Sequence, residues 1–294
     1  MEETMPNFQP SGIRPFKLGL IGYPLSHSKS PQLHAEFLRK CGLKGKYKLY
    51  PIPPDDVDAL KALLNRVRKG EIHGLNVTIP HKQNIIPLLD ELSDTAQAIG
   101  AANTIVFREG KLIGENTDTP GFWKDLQKLR PDGFPKHVRS HALILGSGGA
   151  ARAVTYALLN AGWQITLATR EADIPQAQSL IKNFTSYNPN FTNQLSNTEL
   201  KAPTLSPLLS TLSLIVNTTP VGMKSHLQGS PYPKKLPFPS NAVLYDLIYN
   251  PSKTKLMQDA EEAGIPVRGG VGMLESQAEL SFEIWTGCQT GDKK

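Results

Sequence analysis

The most constraining feature of this 294-residue chain is a glycine turn between an apolar run and a long apolar helix. It reads His141-Ala-Leu-Ile-Leu-Gly-Ser-Gly-Gly-Ala-Ala-Arg-Ala-Val-Thr-Tyr-Ala-Leu-Leu159. Unbroken apolar residues before Gly146 suit a strand buried on both faces, as in parallel sheets. Gly146-Ser147-Gly148-Gly149-Ala150-Ala151 fits G-x-G-x-x-A, the dinucleotide-binding pattern with alanine at its third position. Gly146 permits the tight turn, Gly148 lets a pyrophosphate approach the backbone, and Ala151 lets helix and strand pack closely. The amides that open the helix have no partners within it and supply the anion site. Gln164 to Thr169 is the next strand, at the distance a βαβ unit requires.

The end of that strand selects the cofactor. An acidic residue there accepts from a ribose hydroxyl and favours NAD, whereas a basic one accommodates the extra phosphate of NADP. The sequence is Ala168-Thr169-Arg170-Glu171. The planar fork of Arg170 suits a phosphate and favours NADP. Glu171 pulls the other way and keeps NAD open.

Upstream, strands and helices also alternate, which implies a second α/β layer. Lys17 to Gly22, Tyr47 to Ile52 and Gly74 to Ile79 read as strands. Helices are expected over Gln32–Cys41, from Asp55-Asp56 onward, and from Lys82 to Glu91. Ala102–Phe107 and Lys111–Gly114 form a hairpin across Glu109-Gly110. Pro131–His137 reads as a breaker-rich loop, Asn183–Ser210 as a polar helix–loop excursion, and Leu274–Trp285 as an amphipathic helix that returns to the first unit. The domains expected are a flexible arm (1–16), a substrate domain (17–118) completed by the C-terminal helix (273–294), and a dinucleotide-binding Rossmann-type domain (119–272).

The net charge of +6 comes from 32 basic and 26 acidic residues spread along the chain. Nucleic-acid binding needs such charges concentrated and interleaved with aromatics, so no nucleic-acid partner is expected. The densest basic patch, Arg66-Val-Arg-Lys69, suits a helix C-terminus. No apolar run reaches the roughly 20 residues that span a bilayer, and the N-terminal residues have no apolar core of a secretory signal. A cytoplasmic protein without a membrane partner follows, in which Cys41 and Cys288 are expected as free thiols. Oligomeric state is left as monomer or homodimer.

Several motifs, in order from Lys17 to Trp285, resemble the shikimate dehydrogenase family. They are Gly22-Tyr-Pro-Leu-Ser-His-Ser-Lys-Ser-Pro-Gln-Leu-His34, Gly74-Leu-Asn-Val-Thr-Ile-Pro-His-Lys82, Ile99-Gly-Ala-Ala-Asn-Thr104 and Gly114-Glu-Asn-Thr-Asp-Thr-Pro-Gly121. Asn217-Thr-Thr-Pro-Val-Gly-Met223, Asp246-Leu-Ile-Tyr-Asn-Pro251 and Gly270-Val-Gly-Met-Leu-Glu-Ser-Gln277 complete the set. The resemblance implies two α/β domains with the active site in the cleft between them, and reversible NADPH-dependent reduction of 3-dehydroshikimate to shikimate. It implies that Ser26 and Ser28 hold the substrate carboxylate. Asn76, Asn103, Asp118 and Gln277 would hold ring hydroxyls, with Thr78 and Tyr249 beside them. For the cofactor it implies Thr169, Arg170, Thr218, Thr219, Pro220, Met223, Leu247, Gly270 and Met273 in addition to the glycine loop.

These residue types also suit the chemistry by themselves. A ring with several hydroxyls and a carboxylate calls for short hydroxyl and amide side chains, and such a site rejects analogues that lack a hydroxyl. Oxidising an alcohol removes the hydroxyl proton as hydride leaves the same carbon. Lys82 is the expected base and Asp118 its orienting partner. Desolvation lowers a lysine pKa and a nearby carboxylate raises it, so the two effects oppose each other. Singly, each residue has a structural alternative: Ser26, Ser28 or Asp118 as helix caps, Asn76 or Asn103 as satisfiers of backbone groups. No metal is expected, because His27, His34, His73 and His81 lack the i, i+4 pairing of a zinc helix. A quinate/shikimate dehydrogenase using NAD, a dinucleotide sensor without catalysis and a methylenetetrahydrofolate dehydrogenase-like enzyme are the competing readings. The sensor is disfavoured by the presence of both Lys82 and Asp118.

Overall fold

The computed structural model describes residues 15–26, 28–129, 140–223 and 229–290. The expected arm through residue 14, the 131–137 loop and His27 lie outside them. The chain divides into two compact units, Met1–Glu91 with Asn103–Glu115 and Ala278–Lys294, and Leu92–Ala102 with Asn116–Gln277.

The first unit is built on β1 (Phe16–Gly22), α1 (Ser30–Lys40), β2 (Gly45–Pro51), α2 (Val57–Arg68), β3 (Gly74–Val77) and α3 (His81–Asn84). With β4 (Glu91–Leu92), β5 (Thr104–Arg108) and β6 (Lys111–Glu115), its sheet runs in the order β2-β1-β3-β5-β6-β4. The β2, β1 and β3 strands are parallel, and β5 runs antiparallel to both β3 and β6. Glu109 (φ 51°) and Gly110 (φ 80°) make the left-handed pair that a two-residue hairpin turn demands. Asp56 caps α2 by accepting from the Ala59 amide at 3.0 Å. The helix expected from Lys82 to Glu91 ends after one turn at Asn84 and gives way to a 3-10 turn over Ile86–Leu88. Pro87 lacks the amide that would continue it.

The last helix, α10 (Val271–Thr286), brings Ala278, Phe282 and Trp285 onto Leu18, Phe37, Leu38 and Val106. Gly74 makes room for it, since a Cβ there would sit 2.3 Å from the Trp285 ring. The indole Nε1 donates to the Ile105 carbonyl at 3.0 Å. This docking overturns the expectation of free thiols: Cys41, just after α1, and Cys288, just after α10, form a disulfide with 6.4 Å between their Cα atoms. Two positions 247 residues apart meet because the terminal helix returns to the first sheet, and no local pattern announces that. A link closing so long a loop removes much unfolded-chain entropy. Reduction, or Cys288→Ser, is therefore expected to cost about 2–4 kcal/mol in urea unfolding. Equal stability with and without reductant would count against it.

The second unit contains α4 (Asp94–Ile99), α5 (Asp118–Leu129), β7 (His141–Leu145), α6 (Gly149–Asn160), β8 (Gln164–Thr169), α7 (Ile174–Tyr187) and β9 (Leu195–Glu199). It continues through α8 (Ala202–Leu205), β10 (Leu212–Asn217), β11 (Val243–Asp246), α9 (Lys255–Glu262) and β12 (Val267–Gly269) into the start of α10. Its sheet order is β12-β11-β10-β7-β8-β9, parallel throughout. In order of appearance that is 3-2-1-4-5-6 read from the other edge, the doubly wound dinucleotide topology. Apolar clusters pack on it, one around Ile144, Leu158 and Phe184, the other around Leu143, Ile215 and Leu256. Strand β9 (Leu-Ser-Asn-Thr-Glu) falls inside the expected polar excursion; on an edge it buries only Leu195 and carries little apolar signal. Helix α4 is held in this unit at its C-terminus, where Arg152 Nη1 donates to the Ile99 carbonyl at 3.1 Å. Among the described residues no helix is long and apolar enough to cross a membrane.

Candidate active site

In the first unit the motif loops leave one end of the sheet together. Strands β1 and β3 finish side by side, Ile21 opposite Val77. The loops that follow carry Ser26 and Ser28 from one and Thr78 and Lys82 from the other. Backbone bonds lock them, Thr78 N to Ile21 O at 2.8 Å and Tyr23 N to Ile79 O at 2.9 Å. Because β5 is antiparallel to β3, its start lies at the same end, and Asn103 bonds Val77 (2.8 Å) and Glu115 (3.0 Å) through its backbone. Ser26 is exposed, and the half-buried Ser28 accepts from the Ser30 amide at the start of α1 at 3.2 Å. His81 is fully buried with Nε2 2.7 Å from the Ile52 carbonyl, which anchors the short helix carrying the half-buried Lys82.

Asn76 holds a place that its motif does not reveal. Its carboxamide oxygen accepts from the Tyr47 hydroxyl at 2.8 Å. Its nitrogen donates to Ser281 Oγ (2.9 Å), Thr104 Oγ1 (3.1 Å) and the Asn103 carbonyl (3.2 Å). Thr104 Oγ1 in turn donates to Asn103 Oδ1 at 3.1 Å. Asn76, Asn103, Thr104 and Ser281 are all buried. A cavity of about 530 Å³ runs along β1 and β2, lined by Lys17, Lys46, Lys48, Tyr50 and Arg66. Lysines on the edge strand β2 discourage pairing with other sheets, and Arg66 is already paired with Glu71.

In the second unit β7 and β10 are neighbours, although two strands separate them in sequence, so the glycine loop opens at the switch in strand order. Gly146 has φ +103°, which L side chains rarely adopt, and its amide donates to the Ala168 carbonyl at 2.9 Å. Gly148 is the N-cap of α6, and a Cβ built there would meet nothing within 4 Å. The open space beside Gly148, at the N-terminus of α6, leaves room for a pyrophosphate. Buried Ser147 donates to Gln176 Oε1 (3.2 Å), and Ala151 is packed in the core. Thr218 Oγ1 donates to the Leu145 carbonyl (2.6 Å), and Thr219 bonds Asn217 Oδ1 through its amide (2.9 Å) and hydroxyl (2.7 Å). After β8, Thr169 is buried whereas the Arg170 side chain is 80% exposed and pairs with Asp173 at 2.7 Å.

Buried Asp246 holds the loop that carries Leu247 and Tyr249. Its carboxylate accepts from Thr254 Oγ1 (2.7 Å), Asn217 Nδ2 (3.0 Å) and the Ile248 amide (3.1 Å). Burial pushes its pKa up, and the three donors offset part of that. Burial likewise raises the Tyr249 phenol. Met273 lies in the core, Met223 beyond Pro220 is exposed, and Gly270 is needed because a Cβ would approach the Leu247 carbonyl to 2.0 Å. Asn116, rather than Asp118, caps α5, its Oδ1 accepting from the amides of Asp118 (3.1 Å) and Thr119 (3.3 Å). Gln277 Nε2 donates to the Leu274 carbonyl at 2.9 Å, and α5 approaches it closely at Gly121.

Two supports have no counterpart in the sequence reading. Asp125 on α5 is fully buried, bonded to Arg268 on β12 and, at 2.7 Å, to the Tyr245 hydroxyl on β11. Burial alone would raise its pKa, but Arg268 and Tyr245 together hold it below the ordinary value. Arg152, buried in the first turns of α6, has its pKa lowered by burial. A cation inside an otherwise apolar helix start was a readable signal there, whereas nothing links Asp125 to a partner 143 residues away.

Residues 20–105 match the family model described as the shikimate dehydrogenase substrate binding domain. The chain is 38% identical over 269 residues to the shikimate dehydrogenase (NADP(+)) of Carboxydothermus hydrogenoformans, covering 92% of this chain and 91% of that protein. It superposes on the Thermus thermophilus shikimate 5-dehydrogenase, solved with NADP(H) and shikimate, with a TM-score of 0.78 and 35% identity over 93% of this chain and 94% of that one. The quinate dehydrogenase of Corynebacterium glutamicum, solved with NAD, gives a TM-score of 0.81 at 29% identity, over 94% of this chain and 95% of that one.

Proposed function

Since the chain belongs to the shikimate dehydrogenase family, we propose that it catalyses the reversible NADPH-dependent reduction of 3-dehydroshikimate to shikimate. The observation that carries the reading is the gathering of the serine loop, Thr78, Lys82 and Asn103 at one end of the first sheet. The dinucleotide, when bound, gives up or accepts the hydride. The opening amides of α6 with Gly146 and Gly148 hold its pyrophosphate, and Arg170 its 2′-phosphate. Lys82 takes the proton of the hydroxyl being oxidised, and returns it in the reverse direction, while Asp118 orients the lysine and the hydroxyl. Ser26 and Ser28 donate to the ring carboxylate, and Asn103 and Gln277 bond ring hydroxyls, with Thr78 and Tyr249 lining the same substrate. Pairing each hydroxyl is what excludes analogues lacking one.

Shikimate-dependent reduction of NADP, run beside NAD and quinate controls, tests this. Turnover dominated by quinate with NAD would favour the second reading, which rests on Glu171 and on the hold of Asp173 on Arg170. Arg170→Ala is expected to raise KM for NADP about tenfold, from the loss of a charge-assisted phosphate contact. KM for NAD should stay put, and the effect should shrink at high salt. An unchanged NADP KM would remove Arg170 from the site. We place the enzyme in the cytoplasm, acting as a monomer or homodimer. Reducing compartments rarely keep disulfides, so the Cys41–Cys288 bridge counts against that location; free thiols trapped by alkylating fresh cells would support the cytoplasm, and an intact bridge would overturn it.

A further inference from the structure

We infer that Asp125, acting through the Tyr245 hydroxyl, is a positioning residue that sets Met273 and the first turn of α10 for the nicotinamide half of the cofactor. The inference rests on the reading of Gly270 and Met273 as cofactor residues. Strand order gives the half. Arg170, assigned to the phosphate on the adenosine ribose, follows β8 on one side of β7. Strands β10, β11 and β12 lie on the other side, and Leu247 and Gly270 follow the last two of them. A dinucleotide laid across the switch in strand order, with its pyrophosphate at Gly148, carries its nicotinamide toward that side. The turn from β12 into α10 is gripped from both ends by one carboxylate. The first amides of a helix find no partner inside it. In α10 the Leu274 amide bonds back to the Gly270 carbonyl at 3.0 Å, and the amide before it, that of Met273, donates to the Tyr245 hydroxyl. That hydroxyl gives its own proton to Asp125 at 2.7 Å. Ahead of the turn, Arg268 Nε donates to the same carboxylate at 2.9 Å. Gly272 lies against it as well, since a Cβ there would run into the Asp125 carboxylate. Asp125 and Tyr245 are fully buried, where charge-assisted bonds of this kind hold their geometry. A purely structural ion pair would need only Asp125 and Arg268. The Tyr245 hydroxyl extends it to the backbone of a cofactor residue.

The experiment is calorimetry of two ligands, NADP and adenosine 2′,5′-bisphosphate, which keeps the adenosine and its 2′-phosphate and lacks the nicotinamide. Tyr245→Phe removes the hydroxyl and keeps the ring, whose centroid lies 5.1 Å from that of Phe122. One such hydrogen bond corresponds to about a three- to tenfold change. Tyr245→Phe is expected to raise Kd for NADP by that factor and to leave Kd for the bisphosphate as in the wild type. Asp125→Asn should weaken NADP in the same direction. The double variant should bind no worse than the poorer single one, because both act along one path of bonds. If Asp125→Asn fails to fold, the two Kd values of Tyr245→Phe decide alone. The inference is overturned if Tyr245→Phe binds NADP as the wild type does. It is equally overturned if both ligands weaken in parallel, as a general loosening of the unit would produce, or if the two substitutions add. Met273→Ala tests the parent reading separately. Unchanged NADP binding in that variant would remove Met273 from the cofactor site, and this inference with it.

Discussion

Lys82→Ala is expected to lower kcat for shikimate oxidation by about 10²–10⁴, the usual range for loss of a positioned acid–base group. Cofactor binding, read by fluorescence or calorimetry, should be unchanged, because the glycine loop lies in the other structural unit. The lysine is well placed for a fixed role. Helix α3 is a single turn, too short to be stable by itself, yet the buried ring of His81 ties it to the Ile52 carbonyl. Ile85 closes the same turn and is fully buried. The side chain beside His81 thus springs from a rigid backbone, which is what proton transfer within hydrogen-bond reach requires. Asp118→Asn should also depress kcat, since it keeps shape and removes charge. If Lys82→Ala retained more than a tenth of wild-type kcat, the lysine mechanism would fail and the proton would have to leave by another group.

Much of this was legible because the relevant residues are sequence neighbours. Gly146 and Gly148 act through backbone geometry within a few residues, and the Glu109-Gly110 turn joins adjacent strands, so each is written in a local pattern. The motif loops of the first unit are legible for the same reason: Ser26 and Ser28 follow one strand and Thr78 and Lys82 another. What stayed hidden depends on contacts that no spacing encodes. The disulfide and the Asn76–Thr104–Ser281 bonds require the last helix to come back to the first sheet. The Asp125–Arg268 pair joins a helix to an edge strand of three residues, too short for an alternation signal. Asn76 is the instructive case, since its motif marks it as a substrate group while its bonds to Tyr47, Thr104 and Ser281 lie far from it in sequence. A motif marks a residue as necessary without saying which side of the site it serves.

A second large effect lies in acid stability, and it originates at His34. This residue is fully buried, stacked on Tyr47 with ring centroids 4.2 Å apart and flanked by Phe37, Phe282 and Trp285. Burial drives its pKa from 6.5 down to about 3, and the neighbouring Asn76 offsets only part of the shift. Tyr47, whose pKa burial pushes further up, stays neutral throughout the acid range and supplies no compensating charge. Between pH 6.5 and about 3 the unfolded chain therefore binds a proton at His34 that the folded chain refuses. Stability is full above pH 6.5 and falls as the pH drops through that window, by at most about 5 kcal/mol at its lower end. His73 and His141, whose values burial also lowers, act in the same direction but are less enclosed. Comparing the wild type with His34→Gln in urea titrations at successive pH values isolates the term. The variant should be less stable at pH 7, having lost a stacked ring, yet it should lose less on acidification. Parallel pH profiles for the two proteins would show that His34 accepts its proton in the folded state. The packing of α1 against the returning helix would then be looser than the stacked geometry implies.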